Sequence, residues 1–110
     1  MVFIKISEVF SDTPGGRLIV EGDYSGELFR DTILIEKITE AQSKGELLEI
    51  DFDGCYGIGT SFLEEAFGGL VRKYHLHGTL QIMRFISTED ETVPGNIKKY
   101  IEEAEEKDNG

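Results

Sequence analysis

An α/β domain built on a mixed, four-stranded sheet is the fold class that three observations predict. Apolar, β-branched runs alternate with stretches of helical periodicity. A Pro-Gly-Gly turn near the start joins two of those runs, and at 51–70 a strand passes through glycines into a helix. The order is β-β-α-β-α-β-α, with right-handed crossovers between parallel strands. Val2-Phe3-Ile4-Lys5-Ile6 is the first strand. Asp12-Thr13-Pro14-Gly15-Gly16 is turn chemistry, so Arg17-Leu18-Ile19-Val20-Glu21 is expected to return as the second strand of an antiparallel hairpin. Ser25 is an N-cap for a helix over 27–44 that places Leu28, Ile35, Ile38 and Ala41 near one face. Thr32-Ile33-Leu34-Ile35 is β-branched enough for a short strand, but the length of the run and Gly45 at the C-cap position favour helix.

Leu47-Leu48-Glu49-Ile50-Asp51-Phe52 reads as a central, mostly buried strand. A helix is expected from Phe62 to about Tyr74, bounded by Gly78, and a strand over 79–86. The last helix is expected near Asn96, with Ile97, Tyr100, Ile101 and Ala104 at i, i+3, i+4 and i+7. A frayed acidic tail covers about 105–110, and 1–110 is expected to be a single domain.

A chain of 110 residues suits one core that needs no metal or disulfide. Hydrophobic residues at 39% and charged residues at 30% place it with folded rather than disordered chains. Acidic residues outnumber basic ones 22 to 11, a formal net charge of -11. Such a surface repels phosphate backbones and anionic lipid, which argues against nucleic acid and membrane as partners. A single cysteine, Cys55, precludes an internal disulfide and points to a reducing compartment. No apolar run approaches a membrane span, and Met1 to Lys5 lacks the layout of a signal peptide. The expected location is the cytoplasm.

The densest chemical signal is the glycine turn, Asp53-Gly54-Cys55-Tyr56-Gly57-Ile58-Gly59, and the helix after it, which opens with Thr60-Ser61. Strand ends and adjacent helix N-termini are where α/β domains meet ligands and partners. A P-loop needs a Lys before the hydroxyl residue, and none is present. A dinucleotide fingerprint needs a third glycine where Phe62 stands. Ser61-Phe62-Leu63-Glu64 fits a capping box, which accounts for the serine without a reactive role. The alternative to protein docking here is a small-anion or nucleotide site on the same turn. A tight phosphate site calls for a Lys or Arg near 55–62, where the sequence has none.

The stretch from Asp51 to Arg72, and above all Ser61-Phe-Leu-Glu-Glu-Ala-Phe-Gly-Gly-Leu70, resembles the STAS-like domain family of unknown function found in bacteria and archaea. Ser25-Gly26-Glu27-Leu28-Phe29-Arg30 resembles a second, weaker block of it. The family name relates these domains to sulphate-transporter and anti-sigma-factor-antagonist domains. Antagonists of that type carry an Asp-Ser-Ser-Gly-like turn, in which a kinase with a histidine-kinase-like ATP-binding fold phosphorylates a serine. The resemblance therefore implies a switchable protein-binding surface with Ser61, and secondarily Thr60, as phosphoacceptor. Its implied partner is a histidine-kinase-like ATPase. Gly59 stands where the family turn has Asp, and Phe62 where it has Gly.

The candidate contact surface comprises Gly57, Gly59, Ser61, Glu65, Gly68 and Arg72. The last four fall at i, i+4, i+7 and i+11, one helical stripe, while Leu63, Phe67, Leu70 and Tyr74 face the core. Gly68-Gly69 in mid-helix costs about 1 kcal/mol per glycine relative to Ala, which calls for a close approach. Either a neighbouring element of the same domain or a partner can supply it. Phosphate on Ser61 would add negative charge to an acidic face.

His75 and His77 have no third ligand in sequence and read as helix-end surface groups rather than a metal pair. Glu64 and Glu65 point about 100° apart and do not form an acid/base pair. Cys55 has no neighbouring cation to activate it and reads as a small buried residue. With no Cys-His or Ser-His-Asp arrangement visible, a non-enzymatic module without cofactor or metal is expected. A homodimer is compatible with that role.

Overall fold

The computed structural model describes residues 1–108. Strand β1 (Val2–Lys5) runs into a single helical turn, α1 (Ile6–Val9). A long loop with a 3-10 turn at Ile19–Glu21 then leads to α2, residues 26–44. Strand β2 (Leu48–Asp51), the glycine turn and helix α3, residues 60–74, follow. A 3-10 turn (Thr79–Ile82), strand β3 (Met83–Ile86) and helix α4 (Val93–Asp108) complete the chain.

The sheet has three strands, all parallel, in the order β1-β2-β3. The mixed four-stranded sheet is thus corrected: 17–21 is not a strand and forms no hairpin with β1. Local hydrogen bonds hold that segment elsewhere. The Glu21 carboxylate accepts from Arg17 N (3.1 Å) and Leu18 N (2.7 Å), curling the chain into its 3-10 turn. Gly26 N and Glu27 N donate to Gly16 O and Arg17 O, tying it to the head of α2. Only the second half of 79–86 is extended, and 105–108, expected to fray, belong to α4. Residues 109–110 of the expected tail lie outside the described residues.

Helices α2 and α3 each contain a π-helical stretch, Arg30–Leu34 and Glu64–Gly68. A π turn inserts one residue into the helical repeat, and such turns concentrate at functional sites. Here it resets which side chains reach the core. In α2 the buried apolar residues are Phe29, Leu34, Ile38 and Ala41, with a five-residue step across the insertion. Leu28 and Ile35, placed inward by an unbroken 3.6 period, are only half-buried. In α3 the same step separates Phe62 from Phe67, both fully buried. Leu63 and Leu70 are buried as expected, and Tyr74 is half-buried.

Both crossovers place their helices on one side of the sheet, as sequential right-handed parallel connections require. Val2, Ile4, Leu48, Ile50 and Met83 point into that side and share one core with α2, α3 and the inner residues of α4, Val93, Ile97 and Ile101. The register aligns Phe3, Glu49 and Arg84 in one row of the opposite face, and Lys5, Asp51 and Ile86 in the next. Phe3 is 60% exposed and Arg84 is exposed.

Candidate functional site

The glycine turn emerges from β2 at the carboxyl end of the sheet. Asp51 shapes it, accepting from Asp53 N (2.9 Å) through one carboxylate oxygen and from Lys5 Nζ (3.2 Å) through the other. Gly54 sits at φ 93°, and a Cβ there would lie 2.8 Å from Ser7 Oγ, so this position requires glycine. Tyr56 N donates to Asp12 O (2.7 Å), and Gly54 N donates to the Glu89 carboxylate (2.6 Å). Asp53 accepts from Thr88 Oγ1 (2.6 Å) and Glu89 N (3.1 Å), bonds that hold its carboxyl below the usual range. The turn is therefore fixed between the 10–25 loop and the segment after β3.

Between the turn and the segment after β3 lies a cleft of about 180 Å³ lined by Phe52, Cys55, Ile58 and the carboxylate residues Asp53, Glu89 and Asp90. Cys55, read from sequence as a small buried residue, is half-buried, and burial pushes its thiol up to about 11, so it is protonated at neutral pH. Among the described residues no group of three or more His, Cys, Asp or Glu is arranged to hold a metal ion.

Helix α3 begins at Thr60 with Gly59 as N-cap, and no side chain caps it. The capping box expected from Ser61 and Glu64 is not formed. With Gly59 as N-cap, Ser61 is the second helical residue and Glu64 lies two positions past N3, so its carboxylate is left to pair with Arg17 (2.5 Å) and Arg72 (2.5 and 3.1 Å). Thr60 and Ser61 are both exposed. Among the described residues their hydroxyls have no hydrogen-bond partner.

The stripe continues differently from its sequence outline. Gly57, Gly59, Ser61 and Arg72 are exposed, Glu65 is half-buried and Gly68 is buried. Glu65 pairs with Arg30 of α2 (2.5 Å), whose guanidinium also grips Asp31 through Nε (2.8 Å) and Nη2 (3.1 Å). The Arg30 side chain is 5% exposed. Burial opposes its charge, yet the bonds to Asp31 and Glu65 outweigh burial and raise its pKa. Burial likewise opposes the Asp31 charge. Arg30, Lys73 Nζ (2.8 Å) and Tyr74 OH (2.9 Å) together hold the carboxyl far below its ordinary value.

This network explains the glycine pair. A Cβ on Gly69 would lie 2.5 Å from Arg30 Nη1, and one on Gly68 would lie 2.6 Å from Glu64 Oε2. The close approach comes from side chains of the same domain. Gly26 serves the helix crossing itself, since a Cβ there would lie 2.5 Å from Phe62 O. Arg17, Arg30, Arg72 and Lys73 face Asp31, Glu64 and Glu65, four cations against three carboxylates. These charges form one interlocked ion-pair network across α2 and α3, with Arg30 buried at its centre.

A family model described as a STAS-like domain of unknown function matches residues 25–93. The chain belongs to that family. No curated protein and no solved structure matches it. The matched span of the STAS-like domain holds both π turns, the Arg30–Glu65 pair, the glycine turn and the exposed hydroxyls. Outside it lies an exposed apolar part of this surface that sequence reasoning missed. Leu18 (41% exposed), Ile19 (52%) and Val20 (86%) form an apolar knob at the head of α2, where Ile19 N donates to Glu27, and the neighbouring Arg17 ties it to Glu64 of α3. Tyr24 (45%) and Tyr56 (79%) extend the exposed apolar surface on the same loop and on the glycine turn. Read as an alternating strand, 17–21 gave no sign of it.

His75 and His77 flank the Asp108 carboxylate at 2.8 and 2.7 Å, while Gly78 N donates to Glu105 (2.7 Å). These contacts clasp the end of α4 to the turn after α3. No helix among the described residues is long and apolar enough to cross a membrane.

Proposed function

We propose that this STAS-like domain is a non-enzymatic regulatory module that docks another protein through the glycine turn, the exposed head of α3 and the apolar knob. The observation that carries this reading is the pair of exposed, unbonded hydroxyls Thr60 and Ser61 at the head of α3, flanked by loops that carry exposed apolar side chains: Tyr56 on the glycine turn, and Leu18–Val20 on the loop that Arg17 ties to Glu64. Clustered exposed apolar side chains on a small soluble domain mark interaction surfaces. Ser61, with Thr60 second, is the phosphoacceptor of a protein kinase that passes the γ-phosphoryl group of ATP to Oγ and releases ADP and a proton. The added charge of about -2 falls one helical turn before Glu64 and Glu65. It competes with Glu64 for Arg17, whose pairing fixes the knob against α3. Phosphorylation then loosens or shifts the docking surface as well as recharging it.

A histidine-kinase-like ATPase is the partner proposed by analogy with the antagonist domains that the family name invokes. The anion- or nucleotide-binding alternative has less support, because the cleft beside the glycine turn is lined by Asp53, Glu89 and Asp90. The test uses wild-type, Ser61→Ala, Ser61→Asp and Val20→Asp baits in lysate of the source cells. The proposal expects a protein retained by the first two baits and lost with the last two. Retention of the same proteins by all four baits overturns it.

A further inference from the structure

Independently of the docking surface at α3, the open face of the sheet has no cover within the described residues. Purely parallel sheets are almost always covered on both faces, because their crossovers deposit helices there. In this chain both crossovers run on one side, and the other presents Phe3, Lys5, Glu49, Asp51, Arg84 and Ile86. Phe3, on this face, is 60% exposed, and Met1 beside β1 is 47% exposed.

We propose that the occupant of this face is a second copy of the chain, packed sheet to sheet. Charge selects that partner. Two chains of net charge -11 repel unless they meet on a locally neutral surface. This face carries two cations, Lys5 and Arg84, and two anions, Glu49 and Asp51. Lys5 and Asp51 pair with each other at 3.2 Å. Glu49 and Arg84 are cross-strand neighbours in register, and among the described residues neither side chain has an ion-pair or hydrogen-bond partner.

A two-fold axis parallel to the strands and passing over β2 lays β1 of each copy over β3 of the other. Phe3 then lies under Arg84 of the second copy, a cation–π geometry. The two Glu49 carboxylates are flanked by two Arg84 guanidiniums, so the cluster at the axis is self-complementary. Strand spacing and rise limit the sheet face to about 14 by 13 Å. That is far below the roughly 800 Å² per partner of a stable interface, so the dimer is weak and reversible.

Sedimentation equilibrium of the full chain, from micromolar to millimolar concentration, measures the association. Wild type is expected to dimerise over that range. Arg84→Glu makes the Phe3–Glu49–residue 84 row carry four carboxylates and no cation, and Glu49→Arg makes it carry four guanidiniums and no anion, so each variant alone is expected to associate at least about tenfold more weakly. An equimolar mixture of the two restores opposite charges across the axis and is expected to associate again. Val20→Asp, far from this face, is expected to dimerise like wild type. A monomeric wild type at every concentration overturns the proposal. So does a dimer that neither charge reversal weakens, or a mixture that stays monomeric while both variants keep wild-type circular dichroism. These outcomes are separate from those of the bait experiment, which reads the opposite surface.

Discussion

Replacing Arg30 by Met keeps an unbranched side chain of similar reach but removes the guanidinium that joins the two π turns. The residue is 5% exposed and donates to Asp31 at 2.8 and 3.1 Å and to Glu65 at 2.5 Å. Removing one partner of a buried ion pair costs about 3–5 kcal/mol, because the charges left behind remain partly desolvated. Asp31 keeps Lys73 and Tyr74 as partners, and Arg17 and Arg72 stay within 4 Å of Glu65, which places Arg30→Met near the lower bound, about 3 kcal/mol. At about 4 °C per kcal/mol for a domain of this length, the melting temperature falls by about 12 °C. Urea unfolding at neutral pH measures the loss directly.

The pH dependence of that variant gives a second reading. Asp31 has its folded pKa below its unfolded one, so its contribution is present above about pH 4 and disappears as pH falls toward the folded value. Without Arg30 the folded pKa moves back up, and the acid-sensitive range moves up with it and narrows. A loss below about 1 kcal/mol, the size of a solvated surface pair, refutes the view that Arg30 is a buried organiser of the helix pair.

Gly69→Ala tests the same geometry from the other side. It is expected to destabilise wild type, where Cβ meets Arg30 Nη1, and to stabilise the Arg30→Met background by up to about 1 kcal/mol through helix propensity. Equal effects in both backgrounds, read from a double-mutant cycle, would assign the glycine to another cause. Cys55, with its thiol raised to about 11, is expected to react with a neutral-pH thiol reagent roughly 100-fold more slowly than a free cysteine, and a normal labelling rate contradicts that environment. Asp108→Ala releases His75 and His77, so amide exchange in the last turn of α4 is expected to accelerate while the first turns are unchanged. Unchanged protection of that last turn would show that the clasp does not hold it.

Much of the framework was legible because it rests on local patterning. The run Leu48–Asp51, the helix stop at Gly45 and the inward set Ile97, Ile101 and Ala104 follow from periodicity and glycine placement, whereas α3 stops at His75, which takes the left-handed conformation (φ 56°) three residues before Gly78. The errors share a physical cause: a long-range or side-chain contact overrode the local signal. Leu18-Ile19-Val20 has strand propensity, yet the Glu21 carboxylate and the head of α2 curl it into a surface knob. Ser61 and Glu64 have capping-box spacing, but the N-cap falls two residues earlier at Gly59, and Glu64 pairs with Arg17, 47 residues away in sequence. The π turns are invisible to a 3.6-residue period, and they set both the inward phase of α2 and the meeting of Arg30 with Glu65. Of the candidate site, the glycine turn was readable from sequence, whereas the free hydroxyl of Ser61, the apolar knob and the ion-pair network around Arg30 were not.

The central claim, a docking surface built from the knob and the head of α3, is tested most directly by placing a photocrosslinking amino acid at Val20. A control with the same group at Glu103, on the exposed side of α4, reports background. Irradiation in the source cells is expected to trap a discrete partner from position 20, not from position 103, and Ser61→Asp is expected to abolish that adduct. The same adducts from both positions, or a position-20 adduct indifferent to Ser61→Asp, would contradict a charge-switched surface at this site.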